Sequence, residues 1–533
     1  MMSTQIQGTI VDVVHRRMYG GRVVVDGTHI AAVEADNSVT VGPYILPGFV
    51  DAHVHIESSL LIPSEFVRLA VLHGTVATVS DPHEIANVCG MAGIEFMINN
   101  AAGLPFTIAF GAPSCVPATI FETAGAEITA DDIRTLLARP DIRYLSEMMN
   151  WPGVLNADPG VMEKIGIAQK YGKPVDGHAP GLTGERARAY AGCGIATDHE
   201  CFTLQEALDK VDCGMKILIR EGSAARNFDA LHPLIGQHPN NVMFCCDDAH
   251  PDLLINGHIN NHVRRALALR YDLFDVLRAA SYNPVQHYQL PVGLLQENDS
   301  ADFIVVDDLA SMKVLQTWIR GTCVADNGTC LIPSTTATPI NNFTATPITA
   351  ADIQVDATGT VRVIVAHDGL LTTTEEHLSP SDPDVLKLCV VNRYTKAPVA
   401  IAWVRGFGLQ HGAMASSVAH DSHNIVAVGC TDTAIVQAVN AVIREKGGLS
   451  VYDDHSASVL PLPVAGLMST ADAGSVAVQY VALDAAAKKL GSELRAPFMT
   501  LSFMALLVIP KLKLSDKGLF DGENFSFVSV SIS

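Results

Sequence analysis

Between residues 46 and 285 the apolar positions fall into short runs, each followed by a polar or amphipathic stretch. The runs are Val50–His55, Val76–Ser80, Phe106–Gly111, Ile142–Ser146, Pro174–Gly177, Ile195–Asp198, Lys216–Ile219 and Val242–Cys246. Stretches with helical periodicity, such as Pro63–His73, Ala130–Ala138 and Gly160–Tyr171, lie between them. Strand followed by helix, eight times over, predicts a (β/α)8 TIM-type barrel in an α/β fold across 46–285. A different rhythm flanks this segment. Residues 5 to 45 alternate apolar and polar, as in Arg22-Val23-Val24-Val25-Asp26-Gly27, and the pattern returns over 301–325. Period-two alternation with glycine at the turns predicts antiparallel strands. The two patches are expected to form one small composite β-sheet domain, a β-sandwich over 1–45 and 286–330, interrupted by the barrel. A Pro/Thr-rich stretch in which Ala-Thr-Pro-Ile occurs twice predicts a linker over 331–350. Apolar strands at Val361–Val365, Ala400–Val404 and Ile425–Val428, with a helix at Ala434–Lys446, predict a C-terminal α/β domain over 351–533.

Composition narrows the function. A formal net charge of −21 and the absence of any basic run argue against a nucleic-acid partner, because such proteins cluster Lys and Arg. The longest apolar run, Phe498–Ile509, is broken by Thr500 and Ser502 and falls short of the ~20 residues a bilayer requires, so no membrane association is expected. No secretory-signal order is present, and eleven scattered cysteines without a CxxC pair read as reduced thiols in a cytoplasmic protein. A homo-oligomer, dimer or higher, acting on a small molecule is expected.

The chemistry gathers at the C-terminal ends of the eight runs, where barrel active sites are built. These ends carry His53-Val54-His55, Asp81-Pro82-His83-Glu84, Glu147, His178, His199-Glu200, Arg220-Glu221 and Asp247-Asp248. Side chains at i and i+2 of a strand point the same way, so His53 and His55 can hold one ion together. His178 and His199 can hold a second. Glu147 lies between the two groups in strand order, where one carboxylate could bridge both ions. Any one of these histidines alone would read as a hydrogen-bonded core residue. Six ligand-type residues in register at strand ends read as a metal site.

Pro47-Gly48-Phe49-Val50-Asp51-Ala52-His53-Val54-His55 resembles the opening strand of the amidohydrolase superfamily. Within it the chain is similar to the adenine deaminases over nearly its whole length. The likeness includes Ile56-Glu57-Ser58-Ser59, Ser80-Asp81-Pro82-His83-Glu84, Asp176-Gly177-His178-Ala179-Pro180, Asp198-His199-Glu200 and Arg220 to Ala225. It continues with Asp247-Asp248-Ala249-His250-Pro251-Asp252 and Ser416 to Asn424. Many relatives in the superfamily use a carboxylated lysine as the bridging ligand, whereas Tyr144-Leu145-Ser146-Glu147 offers glutamate, as adenine deaminases do.

The resemblance implies two divalent ions, manganese or iron with zinc also suitable, held by His53, His55, Glu147, His178, His199 and Asp247. Imidazole and carboxylate ligands suit all three metals. It implies hydrolysis of adenine, a purine base, to hypoxanthine and ammonia. Asp247 would take a proton from water and pass it to the leaving amino group. Glu200 or Glu84 would protonate a ring nitrogen. Glu57, Asp81, His83, Arg220, Ser223, Asp248, His420 and His423 are expected to bind or orient the base. Arg220-Glu221 could equally be a surface pair, and Glu57-Ser58-Ser59 a helix cap. The His420-Asp421-Ser422-His423-Asn424 string would reach the barrel mouth from the C-terminal domain. Two other functions fit less well. A cyclic-amide hydrolase of the dihydroorotase or hydantoinase type could use the same histidine pair, and a non-catalytic metal or purine binder would not need the full ligand set. The zinc-deaminase fold with Pro-Cys-x-x-Cys is excluded, since that string is absent.

Overall fold

The computed structural model describes residues 4–39, 42–355 and 359–532. Parts of the expected segments at residues 1–3, 40–41, 356–358 and 533 lie outside the described residues. Eight short strands form the central element. They are β1 (Phe49–Val54), β2 (Thr75–Ser80), β3 (Thr107–Ala112), β4 (Ile142–Met148), β5 (Val175–Gly177), β6 (Thr197–Asp198), β7 (Lys216–Arg220) and β8 (Val242–Cys245). β1 to β5 pair in parallel in sequence order, as do β6 to β8. Single parallel bridges, Val175–Ile195 and Val54–Asp247, join the two sets and close the curl. The result is a TIM-like barrel of mixed α/β content.

The physical origin is plain in β1 and β2, every residue of which is buried. Parallel strands covered on both faces must be apolar almost throughout, so they appear in the sequence as continuous runs. Gly177 permits the tight join at the β5–β6 seam. A Cβ there would lie 2.4 Å from the Thr197 carbonyl oxygen.

Thr4–Asp12, Arg17–Asp26, His29–Ala35 and Tyr44–Pro47 combine with Phe303–Val306, Val314–Ile319, Thr322–Asp326 and Thr329–Cys330. The join is antiparallel, with Phe303 opposite Pro47 and Val306 opposite Tyr44. All eight strands share one hydrogen-bonded sheet, in which Tyr44–Pro47 has a partner on each edge. Pro47 runs through Gly48 directly into β1, so this sheet anchors the strand that carries His53 and His55.

Residues 361–461 contribute a second eight-stranded sheet, on which helix Asp432–Glu445 packs through Ile435, Ala438, Val439 and Val442. Helices Ala473–Lys489 and Pro497–Phe503 follow. The Pro/Thr-rich stretch is irregular but tied down, with Ser334 Oγ donating to Glu65 Oε1 at 2.6 Å and Asn440 accepting from the Ile348 amide at 2.9 Å. Among the described residues no helix is long and apolar enough to cross a membrane.

Candidate active site

The six residues expected to bind metal converge at the C-terminal rim of the strands, and all are buried. Glu147, near the end of β4, occupies the middle. Its Oε2 lies 2.7 Å from His178 Nδ1 and 3.2 Å from His199 Nε2. Its Oε1 lies 3.3 Å from His55 Nε2 and 4.0 Å from His53 Nε2. One carboxylate therefore faces two separate imidazole groups. Asp247 Oδ1 closes the other side, 3.5 Å from His53 Nε2 and 3.3 Å from His55 Nε2.

Asp247 has φ +56°, a left-handed conformation uncommon outside glycine. Its amide donates to the His53 carbonyl at 2.9 Å, and its own carbonyl accepts from the His55 amide at 3.4 Å. Arg220, 1 % exposed, donates from one guanidinium nitrogen to Asp247 Oδ2 at 2.5 Å and grips Glu200 through both carboxylate oxygens. Arg220 is thus neither a surface residue nor half of an Arg220–Glu221 pair. Glu221 pairs instead with Arg265 at 2.8 Å.

The charges support one another. Burial pushes the Asp247 carboxyl up, but Arg220 and the imidazoles of His53 and His55 override it and hold the group well below the usual carboxylate range. Burial likewise opposes the ionised form of Glu147, and His178 and His199 prevail. Burial disfavours the His178 imidazolium, yet Glu200 and Glu147 lift its pKa to about 9.

The donor set fits divalent cations. His53 Nε2 and His55 Nε2 lie 3.2 Å apart, facing the same carboxylate oxygens, an arrangement that a cation between them would stabilise. The buried His178 Nε2 has no hydrogen-bond partner among the described residues. Groups of metal-ligand type among the described residues include Asp51–Cys246–His258 and, at the rim, His53–His55–Asp247, His53–Glu147–His199, His178–His199–Glu200 and His55–Asp81–His83–Glu147, each with its ligand atoms within 4.8 Å of one another. The last brings Asp81 and His83, expected at the purine, to the edge of the metal ligands.

The remaining predicted residues divide. His83, Glu84, Glu200, Arg220, Asp248 and His420 line the same pocket. Glu57 and Ser223 are not among its lining residues. Glu57 Oε1 accepts from the Ile85 amide at 3.2 Å, and Ser223 Oγ accepts from the His250 amide at 2.8 Å, so both brace loops beneath the rim. Ser58 Oγ donates to Asp248 Oδ1 at 2.5 Å, which holds that carboxylate in place.

The C-terminal residues do reach the barrel. His420 Nδ1 meets Glu84 Oε1 at 2.5 Å, and His423 Nε2 meets Glu84 Oε2. Met149 from the barrel lines the pocket as well, and Asp421, Leu371, Phe503 and Leu506 line it from the C-terminal domain; none of the five is a predicted site residue. Asp421 lies within the His420–Asn424 string, which was the available signal. The apolar residues are indistinguishable from core positions without the fold.

The amidohydrolase family model matches residues 44–227 and 216–324, and the adenine deaminase C-terminal domain model matches 365–526. An adenine deaminase from Salinibacter ruber is 54 % identical over 539 residues, covering 99 % of this chain and 98 % of its own. One from Parabacteroides distasonis is 50 % identical over 538 residues, with the same coverage of 99 % and 98 %. Among solved structures, the β-aspartyl dipeptidase from Fervidobacterium islandicum AW-1 overlaps 62 % of this chain and 97 % of its own, with 15 % identity and a TM-score of 0.48. With an amidohydrolase segment, the adenine deaminase C-terminal domain behind it and half of all positions shared end to end, this chain belongs to the adenine deaminase family.

Proposed function

We propose that the protein catalyses metal-dependent hydrolytic deamination of adenine, giving hypoxanthine and ammonia. The observation that carries this reading is Glu147 set between two imidazole groups, with Asp247 opposite, in a chain that aligns along its length with adenine deaminases. His53, His55, Glu147, His178, His199 and Asp247 would hold two divalent ions. The all-nitrogen-and-oxygen ligand set suits manganese or iron, and zinc as well. When bound, such ions bring the pKa of water toward neutrality.

The protein's own groups do the rest. Asp247, kept ionised by Arg220, accepts the proton that water gives up as its oxygen adds to C6 of the ring. The same carboxyl then returns that proton to the amino group, the C6–N bond breaks and ammonia leaves. Glu200, gripped by Arg220, and Glu84, held by His420 and His423, are the two carboxyls at hand to protonate the ring nitrogen, and the same group takes back a proton from the new C6 hydroxyl as hypoxanthine forms. Asp248, fixed by Ser58, orients the base. Leu371, Phe503 and Leu506 supply an apolar wall that excludes water from the reacting carbon.

The division of labour follows the proposed domain plan, with a composite sheet over 1–45 and 286–330, a (β/α)8 barrel over 46–285, a linker over 331–350 and a C-terminal α/β domain over 351–533. The test is product analysis of metal-loaded protein with adenine, dihydroorotate and hydantoin. Hypoxanthine and equimolar ammonia from adenine alone are expected. Ring opening of either cyclic amide without deamination would overturn the assignment in favour of a cyclic-amide hydrolase.

A further inference from the structure

Single backbone bridges join the barrel at two seams, β5–β6 and β8–β1. β1 and β8 carry the ligands that must meet, His53 and His55 on one side and Asp247 on the other. Yet their backbones pair through the single bridge Val54–Asp247. By contrast, β2 and β3, like β7 and β8, share four paired positions. A buried side-chain network spans this seam. Asp51, on β1 and fully buried, accepts from the Cys246 amide through Oδ1 at 3.0 Å. Its Oδ2 meets His258 Nε2 at 2.9 Å. The other ring nitrogen of His258, Nδ1, meets Thr75 Oγ1 at 2.6 Å, at the start of β2. His258, 2 % exposed, stands immediately before helix Ile259–Ala268, so one imidazole ties β8, β1, β2 and this helix together.

The chemistry fixes the imidazole. His258 Nε2 bonds to the Asp51 carboxylate and Nδ1 to the Thr75 hydroxyl, so both ring nitrogens are held. The adjacent Cys246 peptide, held by the same carboxylate, leads directly into Asp247 with its left-handed backbone. We infer that His258 is a positioning residue: acting through Asp51, it clamps β8 against β1 and so sets the distance between Asp247 and the His53–His55 pair. The inference rests on the proposed metal site. It adds a residue 11 positions beyond Asp247 that touches neither the pocket nor a ligand atom directly.

The test compares His258→Leu, which fills the space and breaks both bonds, with His258→Gln, which retains a donor toward Asp51, and with the near-isosteric Thr75→Val. Manganese affinity of the stripped protein is measured by titration, exchange of the Cys246 amide by hydrogen–deuterium mass spectrometry, and adenine turnover separately. Groups that orient metal ligands from behind change affinity or activity by about 10- to 100-fold. His258→Leu is expected to weaken manganese binding within that range and to speed Cys246 exchange. It should also lower kcat with KM within about twofold, while His258→Gln recovers a substantial part of each. Should His258→Leu fail to fold, Thr75→Val must show a smaller change in the same direction. Wild-type manganese affinity with equal Cys246 protection in Thr75→Val and His258→Leu, or no recovery in His258→Gln, overturns the inference. Because affinity and exchange are read without substrate, failure of the clamp is distinguishable from a protein that does not act on adenine.

Discussion

Arg220→Met probes the electrostatics of the site most sharply. The guanidinium is buried and holds two carboxylates, Glu200 through both oxygens and Asp247 at 2.5 Å. Methionine matches much of its length but leaves both acids buried without a cation. Breaking a buried pair in this way costs about 3–5 kcal/mol. That is a factor of roughly 10²–10⁴ in the folded-to-unfolded ratio, since about 1.4 kcal/mol is tenfold. If even a third of it falls on ionised Asp247, the pKa of that group rises by about one unit. The sign is determined. Arg220 keeps Asp247 ionised, and the proposed role of Asp247 as base requires that ionised form. Without Arg220 the carboxyl takes up its proton at higher pH, so the acid limb of the pH–kcat/KM profile moves to the alkaline side. Stability supplied by Asp247 likewise disappears earlier as pH falls. The assays are denaturant unfolding and a pH profile of adenine turnover, with unfolding repeated after Glu200→Gln is added. The double variant should recover part of the lost stability, because it removes one stranded charge. Wild-type unfolding together with an unshifted acid limb in Arg220→Met would refute the role assigned to this residue.

Asp247→Asn should bind metal but lose adenine turnover by about 10²–10⁴-fold, the usual contribution of a positioned acid–base group, as measured by steady-state rates at equal metal content. Glu84→Gln should loosen the C-terminal wall, seen as faster proteolysis between residues 331 and 350 and a raised KM. Burial lowers and Glu84 raises the pKa of His420, to a net of about 9 against an ordinary imidazole value of about 6.5, so the clamp should be fully present below about pH 6.5 and lost as pH rises through about 9. Melting curves across that range should slope downward for the wild type and stay flatter in Glu84→Gln.

The barrel is written in the sequence because strands buried on both faces leave no room for polar alternation, and all eight observed strands overlap the apolar runs. The C-terminal sheet is less visible. Only three of its eight strands appear as apolar runs, and Thr374–Leu378, at an edge, reads Thr-Glu-Glu-His-Leu with no buried residue. The proposed metal-ligand set is legible since each member lies at or just past the end of a strand. Asp51, His258 and Thr75 are not, because their meeting depends on the closure of the barrel, across 207 positions between Asp51 and His258. Arg220 shows the same limit. Its neighbour in sequence, Glu221, suggests a surface pair, while the fold turns it inward onto Glu200 and Asp247.

The most direct measurement is titration of the chelator-stripped protein with manganese, with bound metal per chain and the rate of hypoxanthine formation followed together. Activity is expected to rise with occupancy to about two ions per chain, and Glu147→Gln is expected to abolish both tight binding and turnover. Full adenine turnover in the stripped protein, or undiminished binding in Glu147→Gln, would contradict the account.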